Sequence, residues 1–177
     1  MKTFTVSFFG HRYLTDFKTL EDELAELVRY LLMTHAYVEF LVGRNGDFDR
    51  IVSSAIRRAQ KSYGHENSAH TLVLPYMTAE YRNNEESFYS FYDKIEVFDS
   101  HKTHFKAAIT ERNRAMIDRS SFVFFYVKES DGGAARAMEY ASSIKKPYVN
   151  IAETMQKKSG RRCHYGRRRE DTFCKRL

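Results

Sequence analysis

Short β-rich apolar runs alternate along the chain with longer stripes at helical spacing. Thr3 to Phe9 (TFTVSFF) reads as a first strand that stops at Gly10. Leu20, Leu24, Leu27, Val28, Leu31 and Leu32 then repeat with the three- and four-residue steps of an amphipathic helix, with Asp16 or Thr19 available as a cap. Val38 to Val42 predicts a second strand, ended by Gly43. Phe48, Ile51, Val52, Ala55 and Ala59 mark a second helix, which Asp47 or Asp49 can cap. Thr71 to Leu74 predicts a third strand before Pro75. Residues 76–100 are polar and aromatic, and their one apolar run, Ile95 to Phe98, fits no element by pattern. Phe105, Ala108, Ile109, Ala115 and Met116 predict a third helix. Phe122 to Val127 (FVFFYV) is apolar at every position. Ala134, Ala137, Met138, Ala141 and Ile144 form a helix stripe of mostly small residues, and Pro147 to Ile151 predicts a last strand.

Strand, loop and helix repeated in this order is the βαβ pattern. A strand apolar at every position is covered on both faces, as in a parallel sheet, whereas a half-wet strand alternates. The fold expected is therefore α/β: a single Rossmann-like three-layer domain with a mainly parallel sheet. Such sheets bind ligands beyond the carboxyl ends of their strands. Three strand-to-helix loops carry glycine beside polar groups: Gly10-His11-Arg12, Gly43 to Asp49, and Ser130 to Gly133.

Charge and cysteine change this picture only at the C-terminal end. The formal net charge is +6, but residues 156–177 hold nine Lys/Arg against Glu170 and Asp171. The rest is close to neutral, so the basicity belongs to a tail. The expected organisation is a nucleotide-binding domain over 1–152 and a basic, disordered tail over 153–177. Cys163 and Cys174 both fall in the tail. They read as free thiols of a reducing, cytoplasmic compartment, and with His164 they are too few for a structural zinc site. His101 and His104 lack an evident third ligand, so neither a metal nor a cofactor is expected. No apolar stretch approaches the ~20 residues of a membrane span, so no membrane partner is expected.

The candidate chemistry lies in the loops and on two helices. After a strand, Gly10, His11 and Arg12 offer close backbone approach and a guanidinium for phosphate. Gly43 and Gly46 form a second glycine loop, without the spacing of a dinucleotide fingerprint or a Walker loop. Asp49 reads either as a helix cap or as a carboxylate for a ribose hydroxyl. Arg112 falls on the apolar stripe of its helix, where an ordinary arginine would pack its stem and carry its head to solvent. The sharper reading places that head in a cleft, against an anion. Gly132 and Gly133 open a helix after a buried strand and suit a phosphate cradle. Glu139, two turns further, reads equally as a solvated position or as a functional carboxylate, for glycosidic chemistry or for a ribose contact.

Taken in order, Phe9-Gly10-His11-Arg12, Phe40-Leu41-Val42-Gly43 with Phe48-Asp49, Leu72-Val73-Leu74-Pro75-Tyr76, Glu111 to Asp118, and Asp131-Gly132-Gly133 with Glu139-Tyr140-Ala141 resemble the YpsA-like branch of the SLOG superfamily. That superfamily also holds the Lonely Guy phosphoribohydrolases and the DprA/Smf DNA-uptake proteins. The resemblance runs from about Lys2 to Ile151. It implies a Rossmann-like fold that binds nucleotides or nucleotide-derived signals. By resemblance to the Lonely Guy enzymes, Arg112 and Glu139 match the catalytic pair, and Gly132 and Gly133 match the phosphate-binding glycines. Asn113 belongs to the same matching stretch. Ala135 and Arg136 stand where those enzymes carry Gly and Thr, and Arg136 would supply charge to the cradle in place of the lost hydroxyl.

Three functions follow as expectations. The first is a sensor or regulatory domain that binds a nucleotide-like small molecule, with assembly or signalling as its outcome and a homo-oligomer among its candidate partners. The second is an N-glycosidase acting on a nucleoside monophosphate or related nucleotide, with Arg112 holding phosphate and Glu139 supporting the oxocarbenium ion. The third is nucleic-acid binding through the basic tail.

Overall fold

The computed structural model describes residues 3–15, 17–98 and 104–161. Its strands are β1 (Phe4–Gly10), β2 (Val38–Val42), β3 (Ser68–Leu74), β4 (Lys94–Val97), β5 (Phe122–Tyr126) and β6 (Tyr148–Asn150). Its helices are α1 (Phe17–Thr34), α2 (Asp47–Tyr63), α3 (Ala79–Asn83), α4 (Glu85–Tyr89), α5 (Phe105–Arg119), α6 (Gly132–Ser143) and α7 (Ile151–Arg161). The strands form one sheet in the order β4-β3-β2-β1-β5-β6, and every pairing is parallel.

Strand parity sorts the core into two layers. Val6, Phe8, Phe40, Val42, Leu72, Leu74, Phe124 and Tyr126 join the buried stripes of α1 and α2, with Ile151 and Ala152 of α7. Phe9, Leu41, Val73, Val123, Phe125 and Val127 face the other way, onto Met116 and Ile117 of α5 and the alanines of α6. Both faces of β1 and β5 are therefore covered, as their unbroken apolar runs require. The small residues of α6 let its backbone lie close to the sheet, and Ala135, Ala137 and Ala141 are all buried.

The chain winds outward from β1 through β2 and β3 to β4, then returns to the other side of β1 as β5. The crossing point lies between β1 and β5, where Gly10 stands opposite Tyr126. The loops that follow these two strands leave the sheet at the same level and diverge, which opens a crevice between them.

Three stretches differ from the sequence pattern. The unplaced run at Ile95 is the edge strand β4, four residues long. Its Lys94 and Glu96 are of the kind that protects a sheet edge, and four residues are too few for their alternation with Ile95 and Val97 to stand out. The polar and aromatic stretch before it holds α3 and α4, too short to show a stripe. The last strand is shorter than Pro147 to Ile151, because Ile151 begins α7. That helix runs past the expected boundary at 152/153, with Met155 packed on the core. Residues 162–177, and with them Cys163, His164 and Cys174, lie outside the described residues, as does His101.

Candidate functional site

The loop after β1 is bound to the start of α2. The N–H of Asp47 donates to the carbonyl of Arg12 at 2.8 Å, and the N–H of Leu14 donates to Asp47 Oδ2 at 3.3 Å. Gly46 makes this approach possible: a Cβ there would lie 2.5 Å from the Arg12 Cα. Asp49 acts as a cap, since its Oδ2 accepts the Asn45 N–H at 2.8 Å. An acid three residues into the helix thus satisfies a donor one residue ahead of the N-cap Gly46.

Arg112 lies beneath these loops. It comes from the middle of α5, is 3% exposed, and reaches across to β3, where Nη1 donates to the Val73 carbonyl at 3.1 Å. Its Nε has no hydrogen-bond partner and is buried. No carboxylate among the described residues comes within ion-pair distance of the guanidinium. Asp49 is the acid that its charge feels. A Cβ on Gly43 would meet both groups, at 2.8 Å from Asp49 Oδ2 and 2.9 Å from Arg112 Nη1. Glycine at 43 therefore leaves room for the two side chains to face one place.

Their titration reflects this. Burial pushes the Asp49 carboxyl up, against the Asn45 N–H and the Arg112 charge, which pull it down. Burial lowers the Arg112 pKa, against the Asp49 charge. An arginine does not discard its proton at neutral pH, so Arg112 remains a buried cation with incomplete compensation.

The loop after β5 closes the other side. His11 Nε2 accepts the N–H of Lys128 at 2.8 Å and of Glu129 at 3.4 Å, which ties the β1 loop to the β5 loop. That role requires a lone pair on Nε2, so the neutral ring carries its proton on Nδ1. From β6, the side chain of Asn150 pairs with both backbone groups of Val127, at 2.8 and 3.1 Å. Gly132 and Gly133 then begin α6, both exposed, and Gly132 has a φ of 95° that favours glycine.

Together these loops enclose a cleft of about 320 Å³. Of the residues singled out from sequence, Gly10, His11, Arg12, Gly43, Gly46, Asp49, Arg112, Asn113, Gly132 and Gly133 all line it. Arg136 and Glu139 do not; both are exposed further along α6. Pattern reading missed Asn45, Ile109, Glu129 and Asp131, which also line the cleft. Asn45 and Asp131 stand beside glycines, whereas Ile109 and Glu129 carry no such mark. It also missed Asn150, whose signal is a polar residue ending an apolar strand. Among the described residues no group of three or more His, Cys, Asp or Glu side chains is placed to hold a metal, and no helix is long and apolar enough to cross a membrane.

No family model matches the chain, and no curated protein sequence matches it. Solved structures do. DNA processing protein A from Helicobacter pylori, described for its single-stranded DNA binding mode, superposes with a TM-score of 0.59 at 14% identity, over 88% of this chain and 73% of that one. DNA processing protein A (DprA) from Streptococcus pneumoniae superposes with a TM-score of 0.60 at 13% identity, over 82% of this chain and 49% of that one. The chain thus spans about half the length of the second neighbour. At these identities the likeness is one of fold, and the chain has the Rossmann-like α/β architecture of the DprA (Smf) proteins of the SLOG superfamily.

Proposed function

We propose that the cleft binds the phosphate of a nucleotide unit, and that the ligand is single-stranded nucleic acid. The observation that carries this reading is Arg112, a buried cation with an unpartnered Nε at the wall of an open cleft. Burying a charge without a partner costs several kcal/mol. An anion entering the cleft offsets that cost, and the planar guanidinium suits phosphate oxygens. Gly132 and Gly133 at the start of α6 add backbone N–H groups and the positive end of a helix dipole. Arg12 adds a second cation at the lining.

The choice of a strand over a free nucleotide is supported by the Helicobacter pylori neighbour, described for single-stranded DNA binding. By charge alone the basic tail is the natural contact for nucleic acid; this reading moves the primary contact to the cleft. A second reading, a nucleotide-binding sensor of the YpsA-like branch, is favoured by the cleft's volume, which lies at the lower end for small-molecule sites. The N-glycosidase reading has less support, because Glu139 lies outside the cleft lining.

The test is fluorescence anisotropy with a labelled oligothymidylate, at two salt concentrations, on wild type and Arg112→Met. Binding should weaken with salt and fall roughly 100-fold in the variant, the loss expected when a buried charge pair loses one member. Equal affinity in the variant would sink the reading. Displacement by a nucleoside monophosphate, with no affinity for the strand itself, would favour the sensor. Release of free base, followed by chromatography, would restore the glycosidase.

A further inference from the structure

Arg112 does not stand alone in its cleft. Among the described residues the lining holds two guanidiniums, Arg12 and Arg112, against three carboxylates, Asp49, Glu129 and Asp131. Glu129 and Asp131 are exposed, so water and salt screen them. Asp49 is half-buried and projects from the first turn of α2. Its Oδ2 and Arg112 Nη1 lie 2.8 and 2.9 Å from the one point that a Cβ on Gly43 would occupy. They are still too far apart to form an ion pair, and no other described cation comes within ion-pair distance of Asp49.

An anion that reaches Arg112 therefore comes up beside a carboxylate that no ion pair neutralises. Phosphates differ in what they bring to such a place. A diester within a strand carries one negative charge, whereas a monoester, on a strand end or a free nucleotide, carries close to two at neutral pH. Arg112 attracts the second charge and Asp49 repels it, so the two largely cancel. What remains is the cost of taking a dianion out of water, which rises steeply with charge. A proton taken up by Asp49 would relieve the repulsion. Burial favours that proton, but the Asn45 N–H and the Arg112 charge oppose it, so the relief has a cost of its own.

We propose that Asp49 is a specificity-determining residue of the cleft: beside Arg112 it makes the site selective for the singly charged phosphodiester within a strand, over the doubly charged phosphomonoester of a strand end or free nucleotide. This rests on the reading of the cleft as a phosphate site given above. It adds which chemical class of phosphate is accepted and which residue rejects the other.

The experiment uses two competitors that differ by one charge, thymidine 5′-monophosphate and its methyl phosphodiester, against a labelled oligothymidylate at pH 7.5. On wild type the methyl diester should displace the strand at the lower concentration. Asp49→Asn removes the carboxylate charge and keeps an oxygen to accept the Asn45 N–H, so its melting temperature should stay close to that of wild type. A unit charge about 5 Å away is worth roughly 4- to 300-fold between the screening of bulk water and that of a protein surface. The ratio of the two affinities should therefore move toward the monoester by fourfold or more in Asp49→Asn. Arg112→Met should weaken both competitors. A monoester that matches or beats its methyl diester on wild type would overturn the selectivity and leave the phosphate reading intact. An unchanged ratio in Asp49→Asn would overturn the role of Asp49. Displacement by neither compound would mean that the cleft holds no single phosphate unit, which overturns the proposal, and failure of wild type to bind the strand would overturn both readings.

Discussion

Among the described residues the protein buries two basic side chains, and it treats them differently. His70, at the centre of β3, is 0% exposed. Its Nε2 lies 3.1 Å from Ser53 Oγ, its ring packs on Tyr92 with centroids 4.7 Å apart, and its Nδ1 has no partner. Arg112 is almost as buried, with one contact to a carbonyl and an orphaned Nε. His70 can shed its charge, and burial drives its pKa down to about 4 despite the nearby Asp93. Arg112 has no such escape. His70 sits in a closed layer of side chains; Arg112 lines a cleft. Burial of an ionisable group thus points to a ligand where the group must stay charged and a space faces it.

Arg112→Met puts the largest expected effect on this contrast. The variant should lose roughly 100-fold in strand affinity while its unfolding free energy stays equal or rises, because an apolar side chain replaces an incompletely paired charge. Urea unfolding beside the anisotropy titration checks both. A fall of several kcal/mol would mean that Arg112 is chiefly a structural support.

His70 should show itself in acid. Its folded pKa is below its unfolded value, so the unfolded chain takes up the proton first. The stabilisation from its neutral burial is fully present above pH 6.5 and is lost as pH falls toward about 4. The loss amounts to about 3 kcal/mol. Asp49 works in the opposite direction, because its raised carboxyl gains its proton earlier in the folded state. Unfolding curves between pH 7.5 and 4 measure the net slope, and His70→Asn should flatten it. An unchanged slope in that variant would place the acid sensitivity elsewhere.

The glycines divide on the same lines. Gly46→Ala drives a methyl into the Arg12 backbone and should cost roughly 1–3 kcal/mol. Gly133 has nothing within 4 Å of a Cβ and begins a helix, so Gly133→Ala should leave stability unchanged or slightly higher. Its affinity should still fall about tenfold if a phosphate packs against the bare Cα, because the added methyl takes the space of the phosphate oxygens. Thermal melts with the anisotropy assay separate the two; unchanged affinity in Gly133→Ala would remove α6 from the site.

Much of this was legible in the sequence where one element carries its own signal. FVFFYV announces a strand covered on both faces, and β5 is buried throughout. The leucine stripe of α1 matches its buried face residue for residue. The glycine loops after β1, β2 and β5 converge as the βαβ order demands. Arg112 was visible because it interrupts an apolar stripe. What stayed hidden depends on partners distant in sequence. β4 is a strand because β3 offers an edge, and α3 and α4 hold by packing Tyr81 and Phe88. The role of His11 as a tie needs Lys128, 117 residues away. Glu139 had the spacing of a family motif, but spacing along a helix does not say which way that helix turns toward the cleft.

The place of β1 between β2 and β5 has a consequence for synthesis. The loops after β1 and β2, with Gly43 and Asp49, can be arranged once α2 has been made. The other wall of the cleft, and Arg112 itself, come from the stretch beyond residue 104. Until β5 emerges, one edge of the central strand carries unpaired backbone groups and the aromatic faces of Phe8 and Phe9 lack Phe124 and Phe125. A nascent chain therefore holds half a binding site and an open sheet edge for much of its translation, and that interval is when misassociation with another copy is most favoured.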